Sequence, residues 1–298
     1  MHELKRRSFI GTMGAYLALV PIAFTTTIAL ARSTKRRDVP VTHDERVLAM
    51  EREMELMAAR LGMLEDVEAI RRLQHAYGYY LDKCLYGEIV DLFAEDGDVH
   101  IDGGIYRGKA GQKRYYTGRL ERDVAGGGEG PVFGLLLDHL MLQDVIDVAP
   151  DRRTAKARFR TFVQGGSHDS RRGASVGNPR QWWEGGIYEN TYAKEDDGRW
   201  RFKVLSYRTV YQAPYETGWA HTRVITDDGP RKVYPDDPLG PDEVLPMPPP
   251  VWPETPIVPF HYPNPGTGKA QVSARTARPS ELVGKLDSSG AQRLRTIA

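Results

Sequence analysis

The chain has one cysteine, Cys84, in 298 residues. That excludes an intrachain disulfide framework and a multi-cysteine metal site. It leaves Cys84 as a thiol of the kind that is usually buried and inert. An excess of charge is missing too: 41 lysines and arginines against 40 acidic residues give a net charge of +1. The arginines are scattered rather than striped, so no basic field is available to hold nucleic acid. There is no glycine-rich strand-to-helix fingerprint, no P-loop and no G-x-S-x-G elbow, and nothing in the sequence demands a cofactor. His168 and Asp169 stand too isolated to claim a metal, so no metal ligands are expected. Proline is scarce until late, with fourteen of the twenty lying between Pro214 and Pro265.

The N-terminus is a separate matter. Lys5-Arg6-Arg7-Ser8-Phe9-Ile10 precedes an apolar stretch to Ala31, and Ala29-Leu30-Ala31 is a small-x-small cleavage pattern. The paired arginines resemble a twin-arginine export signal. Residues 1–31 are therefore expected to be a signal, removed on export to the periplasm. The alternative is an uncleaved anchor in the inner membrane, since about 20 apolar residues can span a bilayer. Three threonines and Pro21 weaken the span, while Arg32, Lys35, Arg36 and Arg37 favour retention. In both cases the segment takes no part in the fold.

Residues 32–63 follow as a linker and lead-in helix, rich in Glu, Met, Ala, Leu and Arg from 41 onward and expected to end at Gly62. From Leu64 the apolar positions Leu64, Val67, Ile70, Leu73, Ala76, Tyr77, Tyr80 and Leu81 recur at spacings of three and four, the period of a helix with one buried face. Asp82 sits where that face ends, beside two phenols. Burying an unpaired carboxylate is costly, so Asp82 needs a partner or a role. A short helix ending at Asp96-Gly97-Asp98 comes next, then a hairpin across Asp102-Gly103-Gly104 and a helix over 109–120. Leu140 to Val148 and Thr154 to Val163 alternate as a strand pair about Ala149-Pro150-Asp151. Trp182 to Lys194 and Trp200 to Tyr211 form a hairpin about Asp197-Gly198. Gln164 to Gln181 is a long polar insertion, either a lid or an oligomer contact.

After Ala213 the prolines exclude a second core. Trp219, Tyr234, Trp252, Phe260 and Tyr262 are interspersed among them, and pure disorder is poor in aromatics. Residues 214–298 thus read as an extended arm, lying on the domain or on a neighbouring subunit, and a frayed tail.

A helix ending Tyr-x4-Asp, then Leu-Phe-Ala-Glu-Asp-Gly and a strand, resembles the SnoaL-like branch of the NTF2-like superfamily. That branch includes scytalone dehydratase and the bile-acid 7α-dehydratases. DHLMLQDVIDVAPDRRTAKARFRTFV is similar to its His-bearing strand and return, and GGIYENTYAKEDDGRWRFKVLSYRTVY to its closing hairpin. The resemblance covers Leu64 to Tyr211. It implies an α+β cone over 64–213: a curved antiparallel sheet enclosing a pocket, with helices on one side.

It also implies a site. In the dehydratases an aspartate and a histidine at the places of Asp82 and His139 form a hydrogen-bonded dyad, the carboxylate tuning the imidazole as a general base or acid. Taken singly, His139 also reads as a structural histidine and Asp82 as a helix-end residue. Tyr77 matches the family's tyrosine spacing and can hold a substrate oxygen, or it is a core aromatic. Tyr80 is placed to line the same wall. Glu184, Tyr188 and Asn190 share one strand face, with Glu184 the choice for the second acid. Arg208 is expected either to bind an anionic oxygen or to form a surface salt bridge.

The function these readings imply is a cofactor-independent lyase, a dehydratase or retro-aldol deformylase, acting on a hydroxylated aromatic or polycyclic small molecule. A homo-oligomer, dimer or trimer, is expected. Two other readings stay open, a non-catalytic binding module and a structural small subunit of a larger complex.

Overall fold

The computed structural model describes residues 42–101, 103–171, 181–221, 232–245, 252–253 and 255–270. The expected signal or anchor, the linker up to residue 41, the centre of the 164–181 insertion and the tail lie outside these residues. The chain divides into two units, Met1–Met50 and Glu51–Ala298, and the sheet belongs to the second.

Helix α1 spans His43–Asp82, 40 residues without a break, where the sequence suggests a stop at Gly62. The cause is Arg152. Its guanidinium lies 2.1 Å from where a Cβ on residue 62 would stand, and it pairs with Asp66 one turn further on. Gly62 therefore admits a close neighbour inside a helix instead of ending it. From there Asp66, Ile70, Gln74, Tyr77, Gly78 and Leu81 form the buried face. Asp66 also accepts from Lys194 Nζ at 2.8 Å and Trp200 Nε1 at 3.0 Å, tying α1 to two strands of the sheet.

Helix α2 (Tyr86–Asp91) is followed by strand β1 (Phe93–Ile101). The Asp96-Gly97-Asp98 segment lies within this strand rather than at a helix end. The strand's register shifts between Phe93 and Asp98, and Gln112 donates to the carbonyls of Ala94 and Gly97 on that irregular stretch. Strand β2 (Gly104–Tyr106) closes the expected hairpin. The expected helix over 109–120 is α3 (Gly108–Lys113) running into a π-helical stretch, Arg114–Ala125, which buries Tyr115 and Tyr116.

Four long strands follow: β3 (Leu135–Val148), β4 (Thr154–Ser167), β5 (Gln181–Lys194) and β6 (Trp200–Pro214). With β7 (Glu243–Val244) the order is β3-β4-β5-β6-β1-β2-β7, a curved and open sheet. Every pairing is antiparallel except β1 with β6, which is parallel. The architecture is thus the α+β one expected. Cys84 is buried at 1 % exposure.

The described parts of the arm lie on the same domain. β7 pairs with β2, and the Trp252 amide donates to Val210 at 2.8 Å. Arg158 donates to the carbonyls of Val258 and Pro259 and lies 4.2 Å from the Phe260 ring centre. Glu189 takes Arg158 on one oxygen and the His261 amide on the other. Trp219 is 55 % exposed and touches the edge of Tyr211.

Candidate active site

Strand register gathers the polar groups. His139 on β3 pairs with Val163 on β4, Val163 with Glu184 on β5, and Glu184 with Gln212 on β6. Residues opposed across strands share a face, so His139, Glu184 and Gln212 stand on one side of the sheet. His139 and Glu184 are two strand spacings apart, roughly 9.6 Å between backbones.

Helix α1 delivers the carboxylate to this face. A Cβ on Gly78 would stand 3.1 Å from the His139 carbonyl oxygen, so glycine lets helix and strand approach one turn before Asp82. Asp82 Oδ1 then accepts from the His139 amide at 2.9 Å and meets its ring Nδ1 at 2.8 Å. Both side chains are largely buried, at 16 % and 11 % exposure for His139 and Asp82. A carboxylate at a helix C-terminus faces the negative end of the dipole, and this last turn carries no basic residue. The position is therefore not one a carboxylate takes for the helix's sake; two donors from β3 hold it there. With Nδ1–H directed at Asp82, the lone pair of the neutral imidazole is on Nε2.

Glu184 is held by β6. A bulge falls between Gly185 and Gly186; beyond it, Tyr207 donates its hydroxyl to Glu184 Oε1. Thr209 and Gln212 add contacts at 3.4 and 3.3 Å. Gly186 makes this possible, because a Cβ there would stand 2.3 Å from the Tyr207 ring and hydroxyl. Burial pushes the Glu184 carboxyl above the usual range, opposed by the Tyr207 hydrogen bond, the charge of His139 and Thr209.

Behind these groups runs a set of phenols. Tyr188 packs on Tyr207 with ring centres 4.7 Å apart and meets the edge of Tyr77 at 5.9 Å. The Tyr77 hydroxyl is 3.1 Å from that of Tyr116. Burial pushes Tyr188 and Tyr116 well above the usual phenol range, so both keep their protons as donors.

Of the residues expected from sequence, Asp82, His139, Glu184 and Tyr188 come together. Tyr77 is 2 % exposed and joins them through Tyr188 from within the core. Tyr80 is half-buried against the core. Asn190 does not belong to the site. Its amide donates to Gln74 Oε1 at 2.9 Å and to Tyr192, while its oxygen accepts the Ser206 amide, so its polar groups are committed internally. Arg208 is not brought to this face of the sheet. It lies between Tyr207 and Thr209, both of which reach Glu184, so alternation puts it on the opposite face. There it is half-buried and pairs in register with Ile187.

Tyr207, Thr209 and Gln212 were not legible as site residues, although the Gly185-Gly186 pair within a strand was a signal of close approach. One step beyond the His139–Val163–Glu184 row lies a cavity of about 410 Å³, lined by Leu135, Gly165, Trp182, Trp183 and Tyr215 among others. Among the described residues, no group of three or more His, Cys, Asp or Glu is placed to hold a metal.

Residues 62–206 match the family model of the SnoaL-like domain. No curated protein matches the chain. Among solved structures, it is similar to a candidate scytalone dehydratase from Novosphingobium aromaticivorans, at 24 % identity over 54 % of this chain and 91 % of that one, with a TM-score of 0.40. It is also similar to a type 2 hexachlorocyclohexane dehydrochlorinase, LinA, at 19 % identity over 52 % and 92 %, with a TM-score of 0.39. A third is ActVI-ORFA from Streptomyces coelicolor, at 12 % identity over 48 % and 93 %, with a TM-score of 0.38.

Proposed function

Because residues 62–206 match the SnoaL-like domain model, with Asp82 from helix α1 brought to the sheet face that carries His139 and Glu184, we propose that the chain is a cofactor-independent lyase. Its substrate class is a hydroxylated aromatic or polycyclic small molecule. The observation that carries this reading is the double contact of His139 with Asp82 Oδ1, across the sheet from a carboxyl that burial makes easier to protonate.

The step follows from the protein's own groups. Nε2 of His139 takes a proton from the carbon next to the leaving group, and Asp82 stabilises the imidazolium that forms. The electron pair released becomes the new double bond. The carbon–oxygen bond breaks, and the departing oxygen takes the proton of Glu184 and leaves as water. Proton return from His139 to Glu184 resets the pair. Tyr188, which burial keeps protonated, stands on the side where negative charge develops on a substrate oxygen, while Tyr207 keeps its proton on Glu184. A hydroxyl proton taken by His139 instead starts carbon–carbon cleavage: the oxygen pair forms the C=O of formaldehyde, the carbon–carbon bond breaks, and the carbon left behind takes the proton of Glu184.

The test incubates the purified protein, with chelator present, with a panel of hydroxylated aromatic and polycyclic compounds. Mass spectrometry follows loss of water or formaldehyde, and Asp82→Asn serves as control. Turnover that Asp82→Asn abolishes supports the reading. Tight binding without turnover of any compound replaces it with a binding module.

A further inference from the structure

Helix α1 carries a second organised surface, away from the site. Its first nineteen residues, 43–61, are all exposed. An isolated helix of that length is marginal in water and draws its stability from a packed apolar face. Such a face is present. Val47, Met50, Met54, Met57, Leu61 and Leu64 follow one another at spacings of 3, 4, 3, 4 and 3, the a and d positions of three heptads. They are 39 %, 63 %, 67 %, 56 %, 57 % and 67 % exposed. The period is 3.5, that of a supercoiled seam, not the 3.6 of a helix lying on a globular core. The seam stops where α1 joins the domain. The next two positions in the series are Glu68 and Arg71, which pair with each other.

We propose that this seam is a parallel, two-stranded coiled coil with a second copy of the chain. Charge selects both partner and direction. With Val47 at a, the flanking g positions are Arg46, Glu53 and Arg60, and the flanking e positions are Glu51, Ala58 and Glu65. In a parallel pair each g residue faces the e residue five places on in the partner. That sets Arg46 against Glu51 and Arg60 against Glu65, with Glu53 facing the neutral Ala58. The antiparallel register that overlays the same three heptads brings Arg46 toward Arg60 and Glu51 toward Glu65, like charges throughout. A second copy thus offers the one seam that matches in length, phase and charge. Val47 at a and Leu64 at d are residue types that favour two strands in parallel dimers. The dimer would join two copies through their α1 helices.

The test uses the full chain and two variants. Sedimentation equilibrium is expected to give a dimer for the native sequence and a monomer for Met57→Glu/Leu61→Glu, with the near-ultraviolet circular dichroism of the domain unchanged. A native monomer, or a dimer that survives the double substitution, overturns the proposal. Direction is read from Leu64→Cys, because Cys84 is buried and does not compete. Oxidation should join two copies through this position in the parallel pair. Failure of the Leu64→Cys dimer to cross-link overturns the parallel arrangement, since the antiparallel one puts Leu64 beside Val47 of the other copy.

Discussion

His139 reaches the same oxygen of Asp82 twice, through its amide at 2.9 Å and its ring Nδ1 at 2.8 Å. The main-chain contact fixes where the carboxylate sits, and the ring contact fixes which nitrogen carries the proton. One side chain at the end of a helix thereby sets both the place and the tautomer of a base on the neighbouring strand. Gly78, one turn earlier on α1, makes the approach possible.

Glu184 is expected to act as the proton donor, so Glu184→Gln should lower kcat by about 10²–10⁴, the usual worth of a general acid or base. Stability should move the other way. Burial raises the folded carboxyl above its ordinary value, so the folded chain holds the proton at pH values where the unfolded chain has lost it. The group's contribution to stability therefore falls as pH rises through the folded pKa. The melting temperature of Glu184→Gln relative to the native protein should climb from acid to neutral pH. A difference that is flat with pH contradicts this environment for Glu184.

Gly186→Ala tests how the acid is held. The added methyl would stand 2.3 Å from Tyr207, forcing the phenol off Glu184. Activity should drop, and Tyr207→Phe should reproduce most of the loss. A fully active Gly186→Ala protein would mean that Tyr207 does not position Glu184.

Asp66 predicts the acid limit of stability. Burial alone would raise its pKa, but hydrogen bonds from Arg152, Lys194 and Trp200 outweigh burial and hold it at about 2, against an ordinary 3.8. The folded value is depressed, so the stabilisation is present above pH 4 and is lost as pH falls through about 2. A shift of that size corresponds to about 2 kcal/mol. Urea unfolding of Asp66→Asn should show a loss of at least that order at neutral pH, shrinking toward pH 2. An unchanged midpoint at neutral pH removes this role.

Chain ending at residue 251 should melt several degrees lower than the native protein. It strips the Val258 and Pro259 carbonyls from Arg158 and His261 from Glu189, leaving an Arg158–Glu189 pair without its cover. An identical melting temperature would show that the arm adds nothing to the domain.

The helix, the strand pairs and the Asp82–His139 juxtaposition could be read from sequence because each rests on local periodicity or on a family pattern. What could not be read depends on through-space partners. Gly62 reads as a stop until Arg152 is seen over it. Asn190 shares a strand face with Glu184, yet Gln74 from α1 claims its amide. Arg208 lies on the far side because a bulge at Gly185-Gly186 resets alternation on β6, leaving Tyr207 and Thr209 facing the acid. Val47 to Leu64 carries a 3.5 period, whereas helix-former content alone does not distinguish a heptad seam from a helix lying on a core.

The most direct test is the rate of three variants: Asp82→Asn, His139→Ala and the double replacement, measured on the substrate the compound panel identifies. As a coupled pair, each single change should remove most of kcat with the fold intact, and the double should cost little more than either, because groups acting as a unit are not additive. A fully active His139→Ala protein, or losses that simply multiply in the double variant, would contradict the dyad.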